Sequence, residues 1–178
     1  MKNILPILTL TTLTAAAFAD AGAAAPAAAA SGLSYNRVTI AQGTSGETDR
    51  SISVANLING SNVLVTLTQN TQTAATTDDN SAVSVGYVFK NVTNGIDATV
   101  GLSAGEADAV TVDLRRSLSE VFAGLEVGLG YSHASKSDGG TSWNYEVSYN
   151  INKQFSVGFG ADDVDGANTK YVGLRYNY

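Results

Sequence analysis

The chain has 178 residues, enough for one domain, with 10 Lys and Arg against 16 Asp and Glu and a net charge of −6. It contains no Cys, which excludes disulfide frameworks, thiolate metal sites, cysteine nucleophiles and a lipid-modified cysteine anchor. The acidic balance excludes nucleic-acid binding, which needs a basic stripe to displace phosphate counterions.

The first residues read as a secretory signal. Lys2 supplies the positive start, Ile4 to Phe18 is uncharged and mostly apolar, and Ala17-Phe18-Ala19 offers small residues at −3 and −1 for cleavage before Asp20. The alternative, an N-terminal membrane helix, is disfavoured because Thr9, Thr11, Thr12 and Thr14 dilute the run and no basic stop-transfer follows. Residues 1–19 are therefore expected to be a signal peptide. Its loss takes away Lys2 alone, so 10 basic residues become nine against 16 acidic. Residues 20–32 are almost all Ala with Pro26, and form an expected flexible leader with little side chain to bury.

After Ala19 no apolar run reaches the roughly 18–20 residues of a spanning helix, so a membrane crossing has to be made by strands. Eighteen Gly and eight Tyr against two Pro suit a β-rich chain with tight turns. Candidate strands in the first part are 33–41, 50–58, 63–70, 81–90, 95–103 and 108–115. Among them Val83, Val85, Tyr87, Phe89 and then Ile96, Ala98, Val100, Leu102 form clear alternating sets. Asn59-Gly60 and Asn94-Gly95 are turn dipeptides, because both residue types tolerate positive φ.

The second part alternates more strongly. From 121 to 132, Val121, Ala123, Leu125, Val127, Leu129 and Tyr131 oppose Phe122, Gly124, Glu126, Gly128, Gly130 and Ser132. Trp143, Tyr145, Val147, Tyr149 and Ile151 then oppose Ser142, Asn144, Glu146, Ser148 and Asn150. Phe155, Val157, Phe159 and Ala161 oppose Ser156, Gly158 and Gly160. Last, Val172, Leu174, Tyr176 and Tyr178 oppose Tyr171, Gly173, Arg175 and Asn177. A period of two is a strand pattern.

Which face looks outward follows from side-chain size. A soluble barrel or sandwich packs its bulky side chains inside. Here the second face is mainly Gly, Ser and Asn with occasional charges, which fits a crowded, hydrated lumen, while the bulky face fits hydrocarbon. Aromatics at Tyr87, Phe89, Tyr131, Trp143, Phe155, Tyr176 and Tyr178 lie near strand ends, where interfacial girdles sit. The expected fold is all-β: an antiparallel up-and-down transmembrane β-barrel of ten strands, or of eight if the second and third segments do not both span. With ten, the turns near 59–60, 90–95, 116–120 and 152–153 share the periplasmic side with both termini. Segments 42–49, 71–80, 104–107, 133–141 and 162–168 then lie outside. These outer segments carry Glu47, Asp49, Asp78, Asp79, Glu106, Asp138, Asp162, Asp163 and Asp165.

The final residues Gly173-Leu174-Arg175-Tyr176-Asn177-Tyr178 contain Gly, two residues, a hydrophobe, one residue and an aromatic. This looks like the C-terminal assembly signal of outer-membrane barrels, with Gly173, Tyr176 and Tyr178 as its elements. With the signal peptide and the strand ladder, residues 33–178 resemble the small OmpA/OmpX-like barrel proteins. The resemblance implies insertion by the barrel-assembly machinery and residence in the bacterial outer membrane, among lipid and lipopolysaccharide.

Chemistry has few candidates. His133, the single His, falls at the outer end of a strand near Ser132, Ser135 and Asp162-Asp163. Omptin-type proteases are ten-stranded and use acids with a His, but no matching motif is present, and a solvated loop His is the preferred reading. A His–Ser acyltransferase fails for the same want of a motif. The run Asp162-Asp163-Val164-Asp165-Gly166 lacks the spaced ligands and terminal Glu of a calcium loop. No catalytic residue, cofactor or metal site is expected.

Inside the barrel, Glu126 and Glu146 lie on adjacent strands, Arg175 on the last, and Arg37 joins them if Tyr35, Arg37 and Thr39 face inward. Opposite charges in a narrow lumen should pair, since an isolated buried charge is costly. They either plug the lumen or line a thin water path that sets ion preference. The expected function is accordingly a narrow passive, porin-like pore or a structural envelope protein. The alternatives are a surface interaction protein presenting acidic outer loops and, behind it, an enzyme or a soluble secreted β-protein.

Overall fold

The computed structural model describes residues 32–44, 48–72, 80–105, 108–135 and 140–178. The expected signal peptide lies outside them, as does all but Gly32 of the expected leader. Ten strands follow one another: β1 (Arg37–Gly43), β2 (Thr48–Leu57), β3 (Val63–Gln72), β4 (Asn80–Thr93), β5 (Ile96–Ala104), β6 (Ala109–Ser117), β7 (Leu125–Ala134), β8 (Thr141–Asn150), β9 (Phe155–Val164) and β10 (Ala167–Asn177). Each pairs antiparallel with its sequence neighbours, and β1 pairs with β10 from Arg37↔Asn177 to Gly43↔Tyr171, so the barrel closes. Ten strands are thus found where eight were the alternative. Closure leaves no unpaired sheet edge, which a wall facing hydrocarbon cannot tolerate.

The alternation points as its side chains require. Trp143 is 41% exposed and Leu174 is 50% exposed, with Val83, Val85, Val100, Leu102, Val147 and Phe159 also on the outer surface. The alternate residues of the same strands, mainly Gly, Ser, Thr and Asn with Asp97, Glu146, Asp162 and Arg175, face inward. Aromatic pairs mark both rims of the outer surface. Phe122–Tyr149 and Phe155–Tyr176, with ring centroids 5.7 and 5.2 Å apart, lie at the end that holds the barrel termini, here the terminal end. Tyr131–Trp143, at 4.8 Å, lies toward the opposite, distal end.

Turn chemistry places several connections. At the terminal end Asn94 (φ 46) and Gly95 (φ 76) make the two-residue β4–β5 turn, whose left-handed pair matches the twist of the strands. At the distal end Asp165 (φ 51) and Gly166 (φ 86) do the same between β9 and β10. The segment 162–168, expected as an outer connection, is therefore mostly strand: Val164 pairs with Ala167, Asp163 with Asn168 and Asp162 with Thr169. Two other strands begin four residues later than expected. β7 begins at Leu125 rather than 121, because 118–124 folds into a turn with Val121 and Phe122 exposed. β1 begins at Arg37 rather than 33, because residues 33–36 bend into the lumen.

Candidate functional site in the lumen

Period-two geometry collects the inward residues of ten strands around one axis. Small ones leave the space. A Cβ at Gly160 on β9 would run into the Tyr171 ring, so that glycine lets the ring of Tyr171 lie across the wall inside the barrel. Two lumen cavities open among the described residues. The distal one, about 440 Å³, is lined by Thr39, Asn70, Ser142, Asp162 and Tyr171 among others. The inner one, about 300 Å³, is lined by Thr99, Thr111, Asp113, Arg115 and Glu126 among others. Both touch Arg37, Asn144, Glu146 and Arg175, which form the waist between them.

The waist is charged and mostly paired. Arg175, only 6% exposed, donates through Nη1 to Glu126 Oε2 at 3.2 Å and through Nη2 to Glu146 Oε1. Glu126, 5% exposed, also accepts from Arg115 Nη2 at 3.0 Å and from Asn150 Nδ2 at 2.8 Å. Asn150 in turn accepts from Ser156 Oγ at 2.5 Å, so the network continues into the β8–β9 wall. Such pairing is what a low-dielectric wall demands of a carboxylate this deep. Arg37 differs. Its Nη1 is buried and has no hydrogen-bond partner among the described residues.

The four lumen charges expected from sequence, Arg37, Glu126, Glu146 and Arg175, all line this space. Sequence reasoning missed Arg115 and Asp113, although they alternate with Thr111 on a recognised strand and so had to share its polar face. It also missed Asp97, which is buried on β5.

Residues ahead of β1 complete the site. Leu33 and Tyr35 are buried inside the terminal end with Leu57 and Val88, and Leu64 packs against them. Tyr35 donates to Asp97 Oδ2 at 2.6 Å. Burial, and then that hydrogen bond, push the Tyr35 hydroxyl up, so it stays a donor.

The other candidates diverge. His133 is exposed at an outward position of β7, whereas Asp162 turns inward and accepts from Asn144 Nδ2 at 2.5 Å. Asp163 stands opposite Trp143, not His133. The carboxylates of the acidic run are spent separately: Asp163 Oδ1 accepts from Gly166 N at 2.9 Å and Asp165 Oδ1 from Thr141 N at 3.0 Å. Of the other acids assigned to outer segments, Glu47, Asp78, Asp79, Glu106 and Asp138 lie outside the described residues. Gly173 faces the lumen, while Tyr176 and Tyr178 are exposed on the outer surface with ring centroids 6.5 Å apart.

No protein-family model matches the chain, and no curated protein does either. Solved structures do. A KdgM porin matches with a TM-score of 0.51 at 12% identity, covering 80% of this chain and 99% of its own. A KdgM porin in complex with disordered oligogalacturonate matches with a TM-score of 0.51 at 14% identity over the same shares. A NanC porin matches with a TM-score of 0.54 at 12% identity, again over 80% and 99%. Likeness at these identities establishes the barrel architecture.

Proposed function

We propose that the chain is a bacterial outer-membrane barrel acting as a narrow passive pore for small hydrophilic solutes, with no chemical step. The observation that carries this reading is the pair of polar cavities, about 300 and 440 Å³, meeting at Arg37, Glu146 and Arg175 inside a wall whose outer surface is apolar. Porin neighbours of the same architecture add to it. The apolar belt, rimmed by aromatic pairs, suits lipid and lipopolysaccharide as surroundings. Exposed Tyr176 and Tyr178 suit docking on the barrel-assembly machinery. The likeness to small OmpA/OmpX-like barrels rests on the same terminal residues, the strand ladder and the expected signal peptide over 1–19.

The neighbour bound to oligogalacturonate holds a polyanion. Here Arg115 and Arg175 are already engaged by Glu126 and Glu146. Asp113 and Asp162 add two more carboxylates to the lining, leaving Arg37 to face four acids with two committed arginines. That balance favours solutes of low net charge.

Planar-bilayer recording on the refolded protein tests the proposal. Discrete steps are expected, and Glu146→Gln, which frees one guanidinium edge of Arg175, should shift the reversal potential toward anions. A folded barrel that stays silent, even when Tyr35→Ala loosens the segment ahead of β1, would overturn it.

A further inference from the structure

An up-and-down barrel with a hydrated lumen has no use for apolar side chains on its inner face, yet this one has a patch of them. Leu57 on β2 stands opposite Leu64 on β3, and Val88 on β4 is 0% exposed, its backbone N–H donating to Asn62 O at 2.8 Å. These three form the bulky apolar patch on one side of the terminal mouth, beside the small buried Ala55 of β2, while most of the surrounding inner wall is Gly, Ser, Thr, Asn or charged. Left bare, they would face lumen water at a cost of about 25 cal/mol per Å² of apolar surface. They are not bare: Leu33 and Tyr35, from the segment just ahead of β1, cover them.

Polar latches hold that segment at separate points of the wall. Tyr35 donates to Asp97 on β5 at 2.6 Å, and Asp97 also accepts from Asn91 N at 2.8 Å. Arg115 on β6 donates to Ser34 O at 2.9 Å and sets its guanidinium 5.2 Å from the Tyr35 ring centroid. Asn36 Oδ1 accepts from Leu57 N at 2.8 Å, and Asn36 O accepts from Tyr178 N at 3.1 Å beside β10. Apolar cover and polar latches are matched to this wall, and the inner cavity ends against Tyr35 and Leu64.

We propose that residues 33–36 are a built-in plug that seats on the Leu57, Leu64 and Val88 patch and closes the terminal mouth, so that passage requires the segment to leave its seat. The plug is a second control on flux, joined to the charged waist through Arg115, which pairs with Glu126 and donates to Ser34 O. An apolar seal excludes water as well as ions, and the latches make its release a discrete event. Its role in flux rests on the pore reading, whereas the seat itself does not.

The absence of native Cys makes the test clean. Val88→Cys is placed in the full chain and in a Leu33→Ser/Tyr35→Ala background, both refolded into liposomes, and exposed to a membrane-impermeant maleimide. Labelling should accelerate by about tenfold or more in the unplugged background, since protection reports the opening equilibrium. Single-channel open probability should rise by about twofold or more in the same background without Val88→Cys. Equal labelling rates in the two backgrounds, with both proteins showing heat-modifiable gel mobility, would overturn the plug. Faster labelling without conductance in either background would keep the plug and sink the pore. If the double variant does not fold, Tyr35→Phe keeps the ring and drops the Asp97 latch. Its labelling should be about twofold or more faster than in the full chain, and an unchanged rate would again overturn the plug.

Discussion

Replacing Glu126 with Gln removes one charge from the most buried part of the waist and leaves its shape almost unchanged. Glu126 compensates two guanidinium groups at once, Arg115 at 3.0 Å and Arg175 at 3.2 Å, with side-chain exposures of 12% and 7% for the two arginines. Breaking a buried pair by deleting one partner costs about 3–5 kcal/mol, mostly from the charge left behind. Two features reduce that figure here. Arg175 retains Glu146, and a cavity of about 300 Å³ beside the network gives Arg115 access to solvent screening. We therefore expect a loss of about 2–3 kcal/mol, and the Asn150 contact can survive because Gln still offers an acceptor oxygen. Urea unfolding in detergent, followed by gel mobility and by fluorescence of the single Trp143, measures it. Glu120→Gln is the internal control. It breaks the Arg116–Glu120 pair, whose side chains are 37% and 53% exposed, and should cost no more than about 0.5 kcal/mol. If Glu126→Gln costs no more than that control, the lumen network is a solvated surface feature and the charged waist is not a structural unit.

Gly160→Ala should cost about 1–3 kcal/mol, because its Cβ would meet the Tyr171 ring and lie 2.7 Å from Tyr145 O, which backbone pairing holds in place. Gly158→Ala, two residues away on the same face, meets nothing nearer than Ser148 Cβ at 3.5 Å and should stay within about 0.5 kcal/mol in the same unfolding assay. Tyr178→Asp should lower the amount of heat-modifiable barrel reaching the outer membrane. A charge near the interface costs the folded barrel only about 0–1 kcal/mol, so refolding into detergent should be nearly normal. Equal losses in both settings would reduce Tyr178 to a stability residue and remove its role as an assembly signal.

The barrel was legible because one physical rule governs every strand: a wall between hydrocarbon and water must alternate in step with the pleat. That rule survives the weak early strands, where Ile40 and Ile52 alternate with Thr39 and Ser53 across the β1–β2 ladder. Boundaries were less legible, for reasons that differ by place. Val121 continues the apolar alternation in sequence, but Gly124 at φ 85 belongs to the turn, and Phe122, from the opposing set, reaches the outer surface by packing on Tyr149 instead of by pairing. At 162–168 the apolar alternation stops at Ala161 although the ladder runs on to Val164. A polar residue argues for a loop only when the strand's other face is dry, and here Asp162 stays on the ladder because its inward neighbours are Asn144 and water-accessible space.

The same reasoning explains why the terminal mouth was hidden. Leu33 and Tyr35 extend the period-two pattern of β1, so they read as its first residues, and an inward Tyr35 was only the condition on which Arg37 joined the lumen charges. What the pattern cannot carry is depth. A strand residue at the rim and a residue folded across the rim have the same parity, and only the partner decides between them. The partner was visible, though, as a breach of the rule on other strands: Leu57, Leu64 and Val88 occupy inward positions where hydration calls for Ser, Thr or Gly. Three apolar side chains on the wrong face, adjacent through the β2–β3–β4 ladder, amount to a request for a cover. Beyond the β2–β3 turn itself, the segment free of strand pairing that packs on them is the one ahead of β1.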